Sequence, residues 1–162
     1  MRRTMICFCM SVGLFGLGLI GCAQSGAKKL STSEVPPVIM KPVQARFPGA
    51  QIVSVERETE DGKVVYDFEL RHEGRKYEMD IRDDGTVTEI EKQVDAASVP
   101  AAVTSAVRAK YPGSTVGEVM EVNLVSGSTE KPDHYEVTLT KSGQEMEVVV
   151  SLDGSKVTEE AE

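Results

Sequence analysis

The spacing of apolar residues along this chain switches between a helical period and a strand period, and does so twice. Val99, Val103 and Val107 recur every four residues, with Ala106 and Tyr111 extending the same stripe, which is one face of an amphipathic helix. Ser98 stands where an N-cap belongs, and Pro100 falls in the first turn, where a missing N–H costs nothing. Pro112-Gly113 then ends the helix. Elsewhere the period is two. Val64, Tyr66, Phe68 and Leu70 alternate with Val65, Asp67, Glu69 and Arg71, and Tyr77, Met79 and Ile81 alternate with Glu78, Asp80 and Arg82. Such alternation predicts strands with one buried and one wet face. Asp61-Gly62, Glu73-Gly74, Asp84-Gly85, Ser142-Gly143 and Asp153-Gly154 stand where tight hairpins are needed.

The pattern is duplicated. "VPPVIMKPVQARFPG" from Val35 overlays "VPAAVTSAVRAKYPG" from Val99, and "YDFELRHEGRKYEMDIRDDG" from Tyr66 overlays "YEVTLTKSGQEMEVVVSLDG" from Tyr135, the second copy being five residues longer before its tyrosine. Each unit reads as one helix followed by three or four antiparallel strands, over residues 35–95 and 96–162. Pro42 aligns with Ala106, so the first helix is expected to be kinked or to start late. Neither unit alone offers much core, so the two are expected to share one α+β domain, a single sheet with the helices on one face.

The first residues are of another kind. Arg2 and Arg3 precede the uncharged apolar run "MICFCMSVGLFGLGLIG", which ends in Leu19, Ile20, Gly21 and Cys22. Charge, apolar run and small residues before a cysteine match a lipoprotein signal peptide over residues 1–21, with Cys22 as the lipidated residue; an ordinary secretory signal or an uncleaved anchor are the alternatives. Residue 23 is alanine rather than the aspartate of an inner-membrane retention signal, which favours the periplasmic side of the outer membrane. The stretch 22–34, rich in Ser, Thr, Gly, Ala and Lys, reads as a flexible tether. Cleavage would remove Cys7 and Cys9, leaving no free thiol for a disulfide, a nucleophile or a zinc site.

Composition narrows the partners. The chain has 162 residues, 40% of them hydrophobic and 27% charged, a net charge of −8 and a pI near 4.9, so nucleic acid is not an expected partner. "DIRDDGTVTEIE", from Asp80 to Glu91, imitates a calcium loop, but Arg82 occupies a position that needs an oxygen ligand and both flanks alternate as strands. His72 and His134 share no motif and read as exposed loop histidines. The serines lack a GxSxG or SxxK setting, and "GLFGLG" lies within the apolar leader. No residue set combines a nucleophile, a base and an orienting group, so neither a catalytic site, a metal nor a cofactor is expected.

The order "VPAAVTSAVRAKYPG", "HYEVTL", "GQEMEVVVSLDG", with its counterpart from Val35 to Gly85, resembles the PepSY-like, β-lactamase-inhibitor-protein-like repeat of secreted bacterial proteins. The resemblance implies a curved antiparallel sheet with helices on one side, no catalysis, and binding or inhibition of an envelope protein; it carries over no catalytic residue. The period of two puts Asp67, Glu69, Glu78, Asp80 and Arg82 opposite the helices, joined by Glu136, Thr138, Glu145 and Glu147 from the second copy. The resemblance suggests that this acidic face is where partners bind. The expected function is therefore that of a lipid-anchored binding or inhibitory module. A structural or stress-related envelope lipoprotein, meeting cations and surfaces only diffusely, is the alternative.

Overall fold

The computed structural model describes residues 27–60 and 62–159; the leader, Cys22 and Asp61 lie outside the described residues. Nine strands form one antiparallel sheet in sequence order: β1 (Lys28–Lys29), β2 (Gln51–Glu60), β3 (Lys63–His72), β4 (Arg75–Arg82), β5 (Val87–Gln93), β6 (Thr115–Ser126), β7 (Thr129–Lys141), β8 (Gln144–Ser151) and β9 (Val157–Glu159). Helix α1 (Pro37–Arg46) precedes β2, and α2 (Ala101–Lys110) precedes β6. The meander follows from its turns: Glu73-Gly74 and Ser142-Gly143 have φ of 51 and 80° and of 54 and 80°, the paired positive values that a two-residue hairpin matched to strand twist requires.

The alternating residues face as the period of two predicts. Tyr66, Phe68, Leu70, Met79, Ile81 and Ile90 pack with Ile39 and Val43 of α1, while Tyr135, Val137, Leu139, Val148 and Val150 pack with Val103 and Val107 of α2. Register ties the two halves together: Ile90 pairs with Asn123, Lys92 with Glu121, and Glu121 with Tyr135. Ile90 and Tyr135 therefore share a face, and both helices lie on it. The expected shared core is instead two apolar clusters side by side beneath one continuous sheet. The long β6–β7 hairpin links them, since Val125 packs on the first cluster and Glu130 forms an ion pair with Arg46 of α1.

Several local expectations are corrected. Ser98 does not cap α2: Pro100 holds the N-cap position with ψ 138°, and the Ser98 hydroxyl donates instead to the Asp95 carbonyl at 2.7 Å. Helix α1 does not start late; it begins at Pro37 and runs through Pro42. Pro42 lacks the N–H that would reach the carbonyl of Val38, one turn back. The described part of the expected tether is not plain coil, because Lys28–Lys29 pairs with Arg57 and Glu56 and residues Thr32–Glu34 form a 3₁₀ turn. The calcium-like segment, by contrast, is the hairpin that its alternating flanks predict, and in it Asp84 Oδ1 accepts the Thr86 N–H at 2.8 Å.

Two glycines fix the helices on the sheet. A Cβ on Gly85 (φ +87°) would lie 2.8 Å from the Val38 carbonyl oxygen, and one on Gly154 (φ +72°) would lie 2.6 Å from that of Ala102. Each Asp-Gly hairpin thus touches the backbone of the first turn of a helix, an approach open only to glycine.

Candidate functional site

The face opposite the helices carries the charge. Strand register sets Asp67 against Asp80, Glu69 against Glu78, Glu78 against Glu91, and Asp80 against Glu89. Directly opposed like charges destabilise a sheet, and burial adds to the cost, since Glu78 and Glu91 are only 5% and 3% exposed. Arg82 stands at one margin, opposite Val65. At the other margin Lys76 Nζ lies 2.8 Å from Glu78 Oε1 and 2.7 Å from Glu118 Oε1. Gln93 braces that pair, donating to Glu118 Oε2 at 2.9 Å and accepting the Lys76 backbone N–H at 3.3 Å.

Next to this bank runs an apolar row on β6. Pairing of Glu91 with Val122, Glu89 with Leu124 and Gln93 with Met120 places all three apolar residues on the charged face. Met120 and Val122 are buried, whereas Leu124 is exposed. Beyond the row lies a second polar bank: Glu136 pairs with Met120 and with Val149, Thr138 with Glu147, and Thr140 with Glu145.

His134 belongs to this second bank and is not the exposed loop histidine expected. It stands half-buried in β7, its Nδ1 2.9 Å from Asp133 Oδ2 and its Nε2 3.3 Å from Glu136 Oε1. Burial works against its charged form, but the hydrogen bonds to Glu136 and Asp133 outweigh that and raise its pKa above the ordinary histidine value. Glu136 is 4% exposed, and its Oε2 has no hydrogen-bond partner among the described residues. His72 is likewise no loop residue: it ends β3 and packs against Phe47, with ring centroids 5.7 Å apart and Phe47 itself 4.8 Å from Tyr77.

Every residue expected on the acidic face is on it: Asp67, Glu69, Glu78, Asp80 and Arg82 in the first bank, Glu136, Thr138, Glu145 and Glu147 in the second. Two features of that expectation are corrected. The patch is not continuous, because the β6 row divides it, and Val65, Glu78 and Glu136 are buried rather than wet. Glu89 and Glu91 were missed although they obey the same alternation on β5. Glu118 was hidden by the register shift between Val116 and Val119, which no period of two reveals. The lipidation candidate Cys22 lies outside the described residues.

This architecture has known counterparts. Residues 39–98, from α1 through β5 into the turn before α2, match the family model "Peptidase propeptide and YPEB domain", PepSY. Over that stretch the chain is similar to the PepSY family. Its whole sheet resembles that of a BLIP-like protein of Bacteroides fragilis (20% identity, TM-score 0.54, covering 80% of this chain and 89% of that one). It also resembles a protein of Bacteroides eggerthii described as periplasmic (15% identity, TM-score 0.58, 76% and 88% covered). A DUF2874 family protein of Bacteroides uniformis is similar too (15% identity, TM-score 0.57, 77% and 89% covered). No curated protein matches the chain. The likeness to the solved structures is one of fold. No helix of the described residues is long and apolar enough to cross a membrane.

Proposed function

We propose that this PepSY/BLIP-like protein is a noncatalytic, lipid-anchored module of the bacterial envelope that binds another envelope protein through the sheet face opposite its helices. One observation carries the reading: four like-charge cross-strand pairs on that face, two of whose members, Glu78 and Glu91, are buried. Threonine or valine at the same positions would suit a strand better, and sites kept at a cost to stability are typically sites of function. The periplasmic description of the B. eggerthii relative and the signal-like residues 1–22 support an envelope location. Tethering by an acylated Cys22 would hold the face near membrane-bound partners.

The two halves are read as tandem units, 35–95 and 96–162. The like placement of Gly85 on Val38 and Gly154 on Ala102, at positions that the sequence overlay makes equivalent, supports a duplication. The extra residues of the second unit fall in the β6–β7 hairpin that reaches back to α1.

Two experiments test the reading. Cys22→Ser should release or misprocess the protein; a variant that is still cleaved and still fractionates with membranes removes the anchor. For the face, a photo-crosslinker at Thr138 in living cells should capture one stoichiometric partner, and Glu69→Lys with Glu147→Lys, both at half-buried positions, should abolish the capture in protein whose urea unfolding shows it still folded. Only salt-labile, heterogeneous adhesion would favour a structural lipoprotein with diffuse contacts.

A further inference from the structure

We propose that His134 is a proton-operated latch on the β6–β7 hairpin: protonated, its ring clamps Asp133 and Glu136 together; deprotonated, it keeps Glu136 and lets Asp133 go. The latch belongs to the fold and does not depend on what the sheet face binds.

Both ring nitrogens face carboxylates. Nδ1 lies 2.9 Å from Asp133 Oδ2, and Nε2 lies 3.3 Å from Glu136 Oε1. An ionised carboxylate only accepts hydrogen bonds, and a neutral imidazole has a single N–H to give. Only the imidazolium donates at both ends, so the contacts are those of the protonated ring. Burial opposes that charge, but the hydrogen bonds to Glu136 and Asp133, with the charges of Glu136 and Glu89, outweigh it and raise the pKa.

Loss of the proton forces a choice between the two contacts, and solvent decides it. The Glu136 side chain is 4% exposed, and its Oε2 has no hydrogen-bond partner among the described residues. Without the Nε2–H, Oε1 would lose its donor as well, which buried carboxylates do not tolerate. The Asp133 side chain is 51% exposed and can turn to water. The proton therefore leaves Nδ1 for solvent, the exposed lone pair repels Asp133, and the Nε2–H stays on Glu136.

Release matters because of where Asp133 stands. Val122 pairs with His134 and Asn123 with Pro132, so Asp133 is the extra residue of a bulge. Pro132 beside it has no N–H to give to the ladder. Backbone pairing is weak at 132–133, and the Asp133–His134 contact closes over that gap. Beyond it the hairpin carries Leu124 and Lys131 on the charged face. On the other face it carries Val125, which meets the first core cluster, and Glu130, which meets Arg46. Opening the latch loosens the hairpin from the bulge to its tip, and with it the tie between the second half of the sheet and α1.

The remaining groups around the ring set when the latch opens rather than how. On β5, Glu89 and Glu91 stand across the β6 row, each already engaged within the chain. The ring faces Val122 on β6 and Ser151 on β8, neither of which titrates, and Lys131 lies nearer the hairpin tip on β7 itself, opposite Leu124.

The test is a pH series on the full chain. Ring nitrogen NMR should show His134 titrating above the ordinary histidine value of about 6.5 and settling, when neutral, as the Nε2–H tautomer. Amide hydrogen exchange, corrected for its intrinsic pH dependence, should show residues 123–132 losing protection through the same transition while β3 and β8 keep theirs. Asp133→Asn separates the latch from a merely buried histidine. Position 133 is exposed, so folding is not at stake, and an amide both donates and accepts, satisfying Nδ1 in either state. In that variant the step in hairpin protection should vanish. A neutral ring in the Nδ1–H form, a transition at or below the ordinary value, wild-type hairpin protection that is flat across the transition, or a step that survives Asp133→Asn each overturns the proposal.

Discussion

Replacing Gly154 with alanine should be among the most damaging single-methyl changes in this fold, and the structure says by how much. Two costs add. At φ +72° an alanine enters the left-handed region, which costs about 1–2 kcal/mol. Its Cβ would then stand 2.6 Å from the Ala102 carbonyl oxygen, 2.7 Å from the carbonyl carbon and 3.0 Å from the Val103 nitrogen. All three are backbone atoms of α2 and cannot rotate aside, so the helix or the β8–β9 hairpin must move. Val103 and Val107 are buried against β7 and β8, and shifting a packed element in this way costs about 1–3 kcal/mol. The total is about 2–5 kcal/mol. Gly113 provides the control: its φ is +79°, but nothing lies within 4 Å of a Cβ built there, so Gly113→Ala should lose only the conformational part, about 1–2 kcal/mol. Urea unfolding of both variants, compared at unchanged m-value, measures the difference directly. Equal losses would show that α2 does not rest on this hairpin as described, and the argument from close approach would fail for Gly85 on α1 as well.

Three further outcomes follow from the same geometry. Pro42→Ala should stabilise the protein by up to about 3 kcal/mol, because an N–H regained at position 42 can reach the Val38 carbonyl within α1; a loss of stability in urea unfolding would show that the ring itself holds the helix in place. Lys76→Met removes the cation shared by Glu78 and Glu118 and should cost about 2–3 kcal/mol at pH 7, less than a fully buried pair because Glu118 is partly exposed; adding Glu118→Gln should recover part of it, and a neutral single variant would deny the bridge any role. His134→Gln should destabilise more at low pH than at high. The folded pKa of His134 is raised, so its contribution is complete below the unfolded value of about 6.5 and fades as pH rises through the folded value; a wild-type advantage that grows from pH 5.5 to 8.5 would contradict the assigned contacts.

How much of this could be read from residues alone depended on whether a feature was local and periodic. The α2 stripe was legible because Val99, Val103 and Val107 face one way in any α-helix, and all are buried. The strand faces were legible for the same reason, down to the individual carboxylates. The cap was not: a serine two residues before the helix looks like a cap, but Pro100, with extended ψ, takes the position and leaves Ser98 bonded to Asp95. Register shifts after Ile52, Asp80, Val116 and Val122 were also illegible, because a bulge is decided by what the neighbouring strand offers. Those on β6 decide which of its residues meet β7, and hence that Met120 adjoins Glu136 and Val122 adjoins His134. Alternation assigns a face but not a depth, so the burial of Glu78, Glu91 and Glu136 could not be read from their spacing.

That depth also changes what the acids mean. Carboxylates on a wet sheet face are ordinary solubility devices, and their spacing alone would justify no more. Carboxylates set directly opposite one another work against a sheet, in a domain whose whole margin is about 5–15 kcal/mol. Lys76 offsets part of this at one margin and His134 answers Glu136 at the other, but the central rows, from Asp67 and Glu69 across to Glu89 and Glu91, pair acid with acid at every step. Solubility would be served as well by the same acids at the exposed hairpin ends, where Glu73 and Glu145 already stand, and at no cost to the sheet. The acids therefore stand where solubility alone does not ask for them, on the sheet face proposed to bind a partner.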